Sequence, residues 1–327
     1  MGKTKIEWTE YSWNPVSGCT PISEGCQNCY AKRMSKRLAG RCGYPADDPF
    51  RVTLHPERLD EPLKWKKPRR VFVCSMGDLF HEDVPFGFVD RVFAIMALTK
   101  QHTFLVLTKR PIRMRQYIDG LTLQRICEAA PLGLTDIQVA DLRAYVRDNF
   151  PLPNVWLGVT AENQQRADER IPILLQIPAA VRFVSVEPML GPINLTRIVY
   201  DRQTIIDSLN GLHGWPLPHT DGPKLDWVIC GGETGPGARP MHPDWVRSLR
   251  DQCQAAGVPF FFKQWGEFAP SYDAELYSEY WVTYDGDFGE FEKCDPTASI
   301  AACMDKVGKK QAGRILDGRT WDEMPEV

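Results

Sequence analysis

Cys19, Cys26 and Cys29 stand in the run SGCTPISEGCQNCYAKR at the spacing C-x6-C-x2-C. Thiolates are soft donors that favour iron-sulfur clusters or zinc, and glycine and proline beside them let the backbone wrap closely. Three thiolates can hold a four-iron cluster and leave one iron open, which makes the cluster chemically useful. A structural zinc needs a closed fourth ligand. None is close: Cys42 lies thirteen residues beyond Cys29, and the nearest histidine along the chain is His55. The donor set favours the cluster, with zinc recruiting a distant fourth residue as the alternative.

The other seven of the ten cysteines are scattered. Cys74 and Cys230 lie in apolar runs and read as small core residues, while Cys42, Cys127, Cys253, Cys294 and Cys303 have no partner at a metal-ligand spacing. Free thiols are expected at all seven, because the N-terminus MGKTKIEWTEYSW has no apolar leader core. Ile6 stands where a myristoylation signal needs Ser or Thr. No run reaches the ~18 apolar residues of a membrane span. A cytoplasmic protein with no membrane partner is the expectation.

These residues need a scaffold. The 327 residues are 43% hydrophobic and 25% charged, enough to fill a substantial core. Short apolar runs recur, each ending in a polar or glycine-containing turn: RVFVCSMGD from Arg70, HTFLVLTKR from His102, NVWLGVTAEN from Asn154, RFVSVEPML from Arg182, DWVICGGETG from Asp226 and PFFFKQWGEF from Pro259. Continuous apolarity implies burial on both faces, as in a parallel sheet covered by helices. Helical patterns such as PFGFVDRVFAIMALTK, QQRADERIPILLQI and HPDWVRSLRDQCQAAG lie between them, the last with Gly257 placed to stop it.

With an initial strand near Tyr11 to Val16, the series predicts an α/β fold: a partial or complete parallel (β/α) barrel of about six to seven units. A doubly wound open sheet ranks second. The barrel is expected over residues 1–268, with the cluster loop at 17–30 and insertions near 117–153 and 195–225. After Phe268 the rhythm fails. Residues 269–327, with the aromatic and acidic YSEYWVTYDGDFGEFEK, read as an extension packed on or capping the barrel.

The net charge is −3, yet the basic residues are grouped. Clusters occur at Lys32, Arg33, Lys36, Arg37 and Arg41, at Lys64, Lys66, Lys67, Arg69 and Arg70 around Trp65, at Lys109, Arg110, Arg113 and Arg115, and at Lys306, Lys309, Lys310, Arg314 and Arg319. Any one is ordinarily a solvated helix face. Four with interleaved aromatics suit a polyanionic partner.

A three-cysteine loop after the first strand of a βα barrel is similar to the radical S-adenosylmethionine superfamily, whose usual spacing is C-x3-C-x2-C. Here the first interval is longer and the second is kept. The set EWTEYSWNPVSGC, CQNCYA, SMGDLFHEDVP, LTKRP, WLGVTAEN, VSVEPML, GGETGPGARP, FFKQWGEF and GRILDGRTWDEMP further resembles a family of phage and prophage proteins known for a three-cysteine motif.

The superfamily resemblance implies two cofactors, a 4Fe-4S cluster on Cys19, Cys26 and Cys29 and S-adenosyl-L-methionine chelated by the open iron. It also implies reductive cleavage to a 5′-deoxyadenosyl radical, and a flavodoxin- or ferredoxin-type electron donor. Tyr30 supplies an aromatic just after the last ligand, where the superfamily usually has one just before it. Asp78 sits where superfamily members place groups that hold the methionyl amine, although an N-cap or turn carboxylate is an equal reading. Glu162, Asn163, Glu187 and Glu233, at later strand ends, are further candidates for the cofactor. The superfamily's GGE motif follows its second strand, whereas here GGE follows the sixth, so that motif's role is not carried to Glu233. Lys109 and Arg110, with Lys263, Gln264 and Trp265, could bind an anionic substrate or stack a base.

No G-x-x-x-x-G-K-[ST], H-E-x-x-H or G-x-S-x-G occurs, so nucleotide-hydrolysing, zinc-protease and serine-hydrolase readings lack their residues. The leading expectation is a radical enzyme modifying or repairing a nucleic-acid base or nucleotide, for example by rearranging a modified thymine in phage DNA. No side chain is assigned a direct catalytic part. A zinc-stabilised, non-catalytic nucleic-acid-binding module and an iron-sulfur redox sensor are the alternatives.

Overall fold

The computed structural model describes residues 3, 4, 6–201, 204–214, 219–271, 280–290 and 301–326. Its apolar runs become seven parallel strands: β1 (Tyr11–Trp13), β2 (Arg70–Val73), β3 (Thr103–Thr108), β4 (Val155–Thr160), β5 (Val181–Val186), β6 (Trp227–Gly231) and β7 (Phe260–Gln264). Every residue of β4 and of β6 is buried, the pattern of strands covered on both faces. Sheet order is sequence order, β1 to β7. This is the α/β series expected, as an incomplete parallel (β/α) barrel.

The chain divides into two units, Met1–Ile22 with Ala31–Val159 and Gln176–Arg182, and Ser23–Tyr30 with Thr160–Leu175 and Phe183–Val327. In the first, β1, β2, β3 and β4 pair in parallel, with Trp13 opposite Val73, Val73 opposite Val106 and Val106 opposite Leu157. Helix α1 (Tyr30–Leu38) runs into this unit, burying Ala31 and Ser35 while Lys32, Lys36 and Arg37 face solvent. Helix α2 (Phe86–Leu98) is apolar on most sides and correspondingly buried. Helix α3 (Pro111–Asp119) begins with a proline, whose missing N–H costs nothing there. Its Tyr117 ring lies 5.0 Å from Phe93 and 5.4 Å from Phe86.

Residues 117–153 supply two more helices, α4 (Leu123–Glu128) and α5 (Asp136–Asp148), both against α2. Thr122 caps the first, and Thr135 with Gln138 forms a capping box on the second, satisfying amides the helices leave open. Arg125 Nε and Tyr117 Oη both donate to the Asp90 carboxylate.

In the second unit β5, β6 and β7 pair in parallel, Val184 opposite Val228 and Val228 opposite Phe260. Helix α6 (Gln164–Leu175) follows β4, and α7 (Pro243–Ala256) begins with a proline after His242 and stops at Gly257, as its sequence predicts. Residues 195–225 hold a four-stranded antiparallel sheet. After Phe268 a second antiparallel sheet forms from Phe268–Pro270, Tyr280–Thr283, Phe288–Glu290 and Ala301–Lys306. The chain's last residues bond back to the strands: Phe262 N donates to Trp321 O at 2.9 Å, and Trp227 Nε1 to Glu323 O at 2.9 Å.

Residues 277–279 and 291–293 of the aromatic and acidic stretch, and Cys294, lie outside the described residues. One expectation is corrected here. Cys303, read as a free thiol, is disulfide-bonded; metal-ligand spacing tested only one kind of partner for it. No helix among the described residues is long and apolar enough to cross a membrane.

Candidate metal centre

Local backbone chemistry places each cysteine. Cys19 follows Gly18, whose φ of 82° suits glycine and whose missing side chain is required, because a Cβ would collide with the Arg51 carbonyl. The Cys19 amide then bonds Phe50 O at 3.1 Å. Cys26 ends a 3₁₀ turn, Glu24–Cys26, with its N–H on Ser23 O at 2.9 Å, and the Cys29 N–H returns to Cys26 O at 3.3 Å. All three cysteines lie outside any disulfide and are half-buried. Cys74, Cys230 and Cys253 contrast with them: complete or near-complete burial pushes these thiols well above the usual range, so they stay protonated and inert.

In the first unit Cys19 meets a saturated guanidinium. Arg110 Nη1 donates to Cys19 Sγ at 3.3 Å and to Asp78 Oδ2 at 3.2 Å. Nη2 donates to Thr20 O at 3.1 Å and Thr20 Oγ1 at 2.9 Å, and Nε to Glu82 Oε2 at 2.9 Å. All five N–H groups that a guanidinium offers are thus used within the chain. Burial opposes the Arg110 charge, but Asp78, Cys19 and Glu82 outweigh it and raise its pKa.

Asp78 is fixed in turn. Its Oδ1 accepts from Thr108 Oγ1 at 2.7 Å and Phe80 N at 3.0 Å, and Oδ2 also accepts from Lys109 N at 3.3 Å. His81 Nδ1 accepts from Asp83 N at 3.1 Å, which leaves Nε2 to carry the proton toward Thr20 Oγ1 at 2.8 Å. Burial first, and the Arg110 charge second, lower its pKa, so the neutral ring is favoured.

In the second unit the segment bearing Cys26 and Cys29 is clamped by strand-end side chains. Glu162, fully buried, accepts from Ser23 Oγ at 2.6 Å and from Arg170 Nη1 at 2.8 Å. Gly25 lies so close that a Cβ there would overlap the Glu162 carboxylate. Asn163 Nδ2 donates to Glu24 Oε1 at 2.6 Å, and Arg166 Nη2 to Glu24 Oε2 at 2.9 Å. Partial burial raises the Glu24 pKa, but Arg166 and Asn163 outweigh it and bring the carboxyl from 4.5 to about 2. Glu233 accepts from Asn28 Nδ2 at 3.0 Å and, bidentately, from Arg239 Nε at 2.8 Å and Nη2 at 2.7 Å. Arg239 Nη2 also reaches Glu24 O at 3.0 Å.

Glu162, Asn163 and Glu233 therefore gather on the cysteine loop. Glu187 does not: its Oε1 takes Lys263 Nζ at 2.6 Å and Gln264 Nε2 at 3.4 Å, a separate pairing. Trp265 is 3% exposed, with its ring 5.1 Å from Phe262 in a T-shaped pair and its indole N–H on Ile315 O at 2.8 Å. Its ring packs in the core. Each Arg110 N–H is bonded within the chain. Lys109 is half-buried and Tyr30 is 53% exposed.

Sequence reasoning missed Ser23, Glu24, Asn28, Arg166, Arg170 and Arg239. The signal was present as polar and charged residues in the cysteine loop and within or after the strand-end motifs, GGETGPGARP above all, but their partners were not legible. Ser17, His55 and Glu57 stand in the order of a hydrolase triad, with 2.7 and 3.2 Å contacts. Ser17 and His55 are buried, 1% and 2% exposed, so the hydroxyl offers no nucleophile to a substrate.

Among the described residues no three His, Cys, Asp or Glu side chains are grouped as a ready metal site. The chemistry of the donors nevertheless fits an iron-sulfur cluster: three soft, half-buried thiols outside any disulfide, one with a cation on its sulfur.

An α/β protein with an incomplete parallel barrel and a clamped cysteine loop is thus defined. Residues 3–325 match the family described as protein of unknown function (DUF5131), and the chain belongs to that family. Among solved structures, a mutant of spore photoproduct lyase is similar over 80% of this chain and 79% of that one, at 11% identity and a TM-score of 0.37. No curated protein matches the chain.

Proposed function

We propose that this protein is a radical S-adenosylmethionine enzyme that modifies or repairs a nucleic-acid base or nucleotide, with Cys19, Cys26 and Cys29 as ligands of a four-iron cluster. The observation that carries the reading is the contrast among the cysteines: three half-buried thiols outside any disulfide, on loops held by buried ion pairs, against core thiols whose burial keeps them protonated. When bound, such a cluster supplies an open iron for the amino and carboxylate groups of S-adenosylmethionine and the electron that cleaves its sulfonium.

The chain's own residues do the positioning. Glu162 with Arg170, and Glu233 with Arg239, hold Ser23, Glu24 and Asn28, so the loop between Cys26 and Cys29 keeps one conformation. Arg110 fixes Thr20 and offsets thiolate charge at Cys19. Lys32, Lys36, Arg37 and Arg41 are exposed, and no acidic residue occurs between Glu24 and Asp47. That face supports a polyanionic substrate. Beside Glu24 a cavity of about 160 Å³ is walled by Asn163, Arg239, Trp245 and Phe288, a lining suited to a flat heterocycle.

The test is anaerobic reconstitution with iron and sulfide, then reduction by a flavodoxin- or ferredoxin-type donor in the presence of S-adenosylmethionine. The expected results are a brown protein, 5′-deoxyadenosine, and its loss in Cys26→Ala. A colourless protein holding one zinc would sink the reading. Mass spectrometry of nucleosides after reaction with DNA tests the substrate, including rearrangement of a modified thymine in phage DNA.

A further inference from the structure

Arg110 directs all five of its guanidinium N–H groups to partners in the first unit. Its side chain is 4% exposed, and it directs one N–H to a sulfur although oxygen acceptors surround it. A hydrogen bond to a cluster sulfur, and a positive charge next to it, both stabilise the reduced and more negative state of an iron-sulfur centre. We propose that Arg110 is a positioning residue that raises the reduction potential of the cluster through the N–H bond to Cys19, and that it does not bind substrate. This rests on the cluster reading above.

The surrounding groups define the sign and size of the effect. Asp78, 7% exposed, faces Nη1 at 3.2 Å and aims that edge of the guanidinium. Its negative charge partly cancels the arginine, so it lowers the potential. Glu82 faces Nε at 2.9 Å but is 63% exposed, and water screens most of its influence. His81 bonds Thr20 and lies 3.8 Å from Glu82, and burial lowers its pKa. The net effect on Cys19 is therefore carried by one directed N–H and a partly compensated charge. Thr20, held through both its carbonyl and its hydroxyl, keeps the fork in register with the sulfur of the preceding residue.

The experiment is a redox titration of the reconstituted protein, followed by visible absorption and by electron paramagnetic resonance of the reduced centre. Arg110→Gln should make the cluster harder to reduce by at least tenfold in the reduction equilibrium, which is ~59 mV for one electron. Arg110→Lys, which keeps the charge without the fork, should fall between. Asp78→Asn should move the potential the opposite way. A purely structural role would shift Arg110→Gln and Asp78→Asn alike or leave both potentials unchanged, and either result overturns the proposal. If Arg110→Gln fails to fold, Arg110→Lys and Asp78→Asn decide by their opposite signs. Unmodified protein that binds no four-iron cluster removes the underlying reading too, whereas a cluster of unchanged potential in the variants removes this inference alone.

Discussion

The Glu233 carboxylate is gripped at both oxygens by Arg239, at 2.7 and 2.8 Å, with the two side chains only 5% and 14% exposed. The same arginine bonds the Glu24 carbonyl, so one buried pair ties the strand end to the cysteine loop. Removing one partner leaves the other charge buried and uncompensated. Arg239→Ala should cost about 3–5 kcal/mol in denaturant unfolding and lower iron retention per chain. Pairing Glu233→Gln with Arg239→Met should cost less than the single change, because no charge is stranded. Equal costs would argue that the pair contributes little.

Glu162 gives a second handle on the same loop. It is fully buried between Ser23 and Arg170, and Glu162→Gln strands the arginine, an expected loss of about 3 kcal/mol. Gly25→Val should fold with a displaced loop, because any side chain there meets the Glu162 carboxylate. Its readout is cluster content after reconstitution, expected to fall while the strands' circular dichroism stays.

Thiol reactivity separates ligands from core. In the metal-free protein, brief alkylation followed by peptide mass spectrometry should label Cys19, Cys26, Cys29 and the exposed Cys42, and spare Cys74, Cys230 and Cys253, whose thiols burial keeps protonated. After reconstitution the first three should be protected and Cys42 should not. Continued labelling of Cys26 in the brown protein would remove it from the ligand set.

Acid stability carries a signature of Glu24. Its folded pKa, about 2, lies below the ordinary 4.5, so the stability it contributes is complete above about 4.5 and is lost as pH falls toward 2. The side chain is 31% exposed, so solvent screening leaves about 1–2 kcal/mol. Glu24→Gln should flatten the stability profile over that window. A parallel profile, merely shifted downward, would assign the pH dependence to other carboxylates.

The basic face of α1 is testable through salt. Lys36→Glu with Arg37→Glu should weaken DNA binding and reduce the slope of log affinity against log salt, by ~0.9 for each phosphate that is no longer neutralised. Cluster content should be unaffected. An unchanged slope would mark the helix as a solvated surface only.

The sequence by itself determined the parallel strands and the place of the cysteine loop. Runs such as WLGV and WVIC are apolar at consecutive positions and can be satisfied only by burial on both faces, a requirement legible without any partner. The C-x6-C-x2-C spacing is likewise local. What each charged residue holds was not legible. With 39 basic and 42 acidic residues, composition permits far too many pairings to select Arg239 with Glu233 and the Glu24 carbonyl, or Arg110 with Cys19. Arg110 and Cys19 are 91 residues apart, and Arg239 and Glu24 are 215 apart. The tertiary structure alone made that choice, because hydrogen bonds need an approach to about 3 Å and only packed strands bring remote loops so near. The same packing buried the Trp265 ring and set the Asp78, Glu162 and Glu233 carboxylates against Arg110, Ser23 and Asn28.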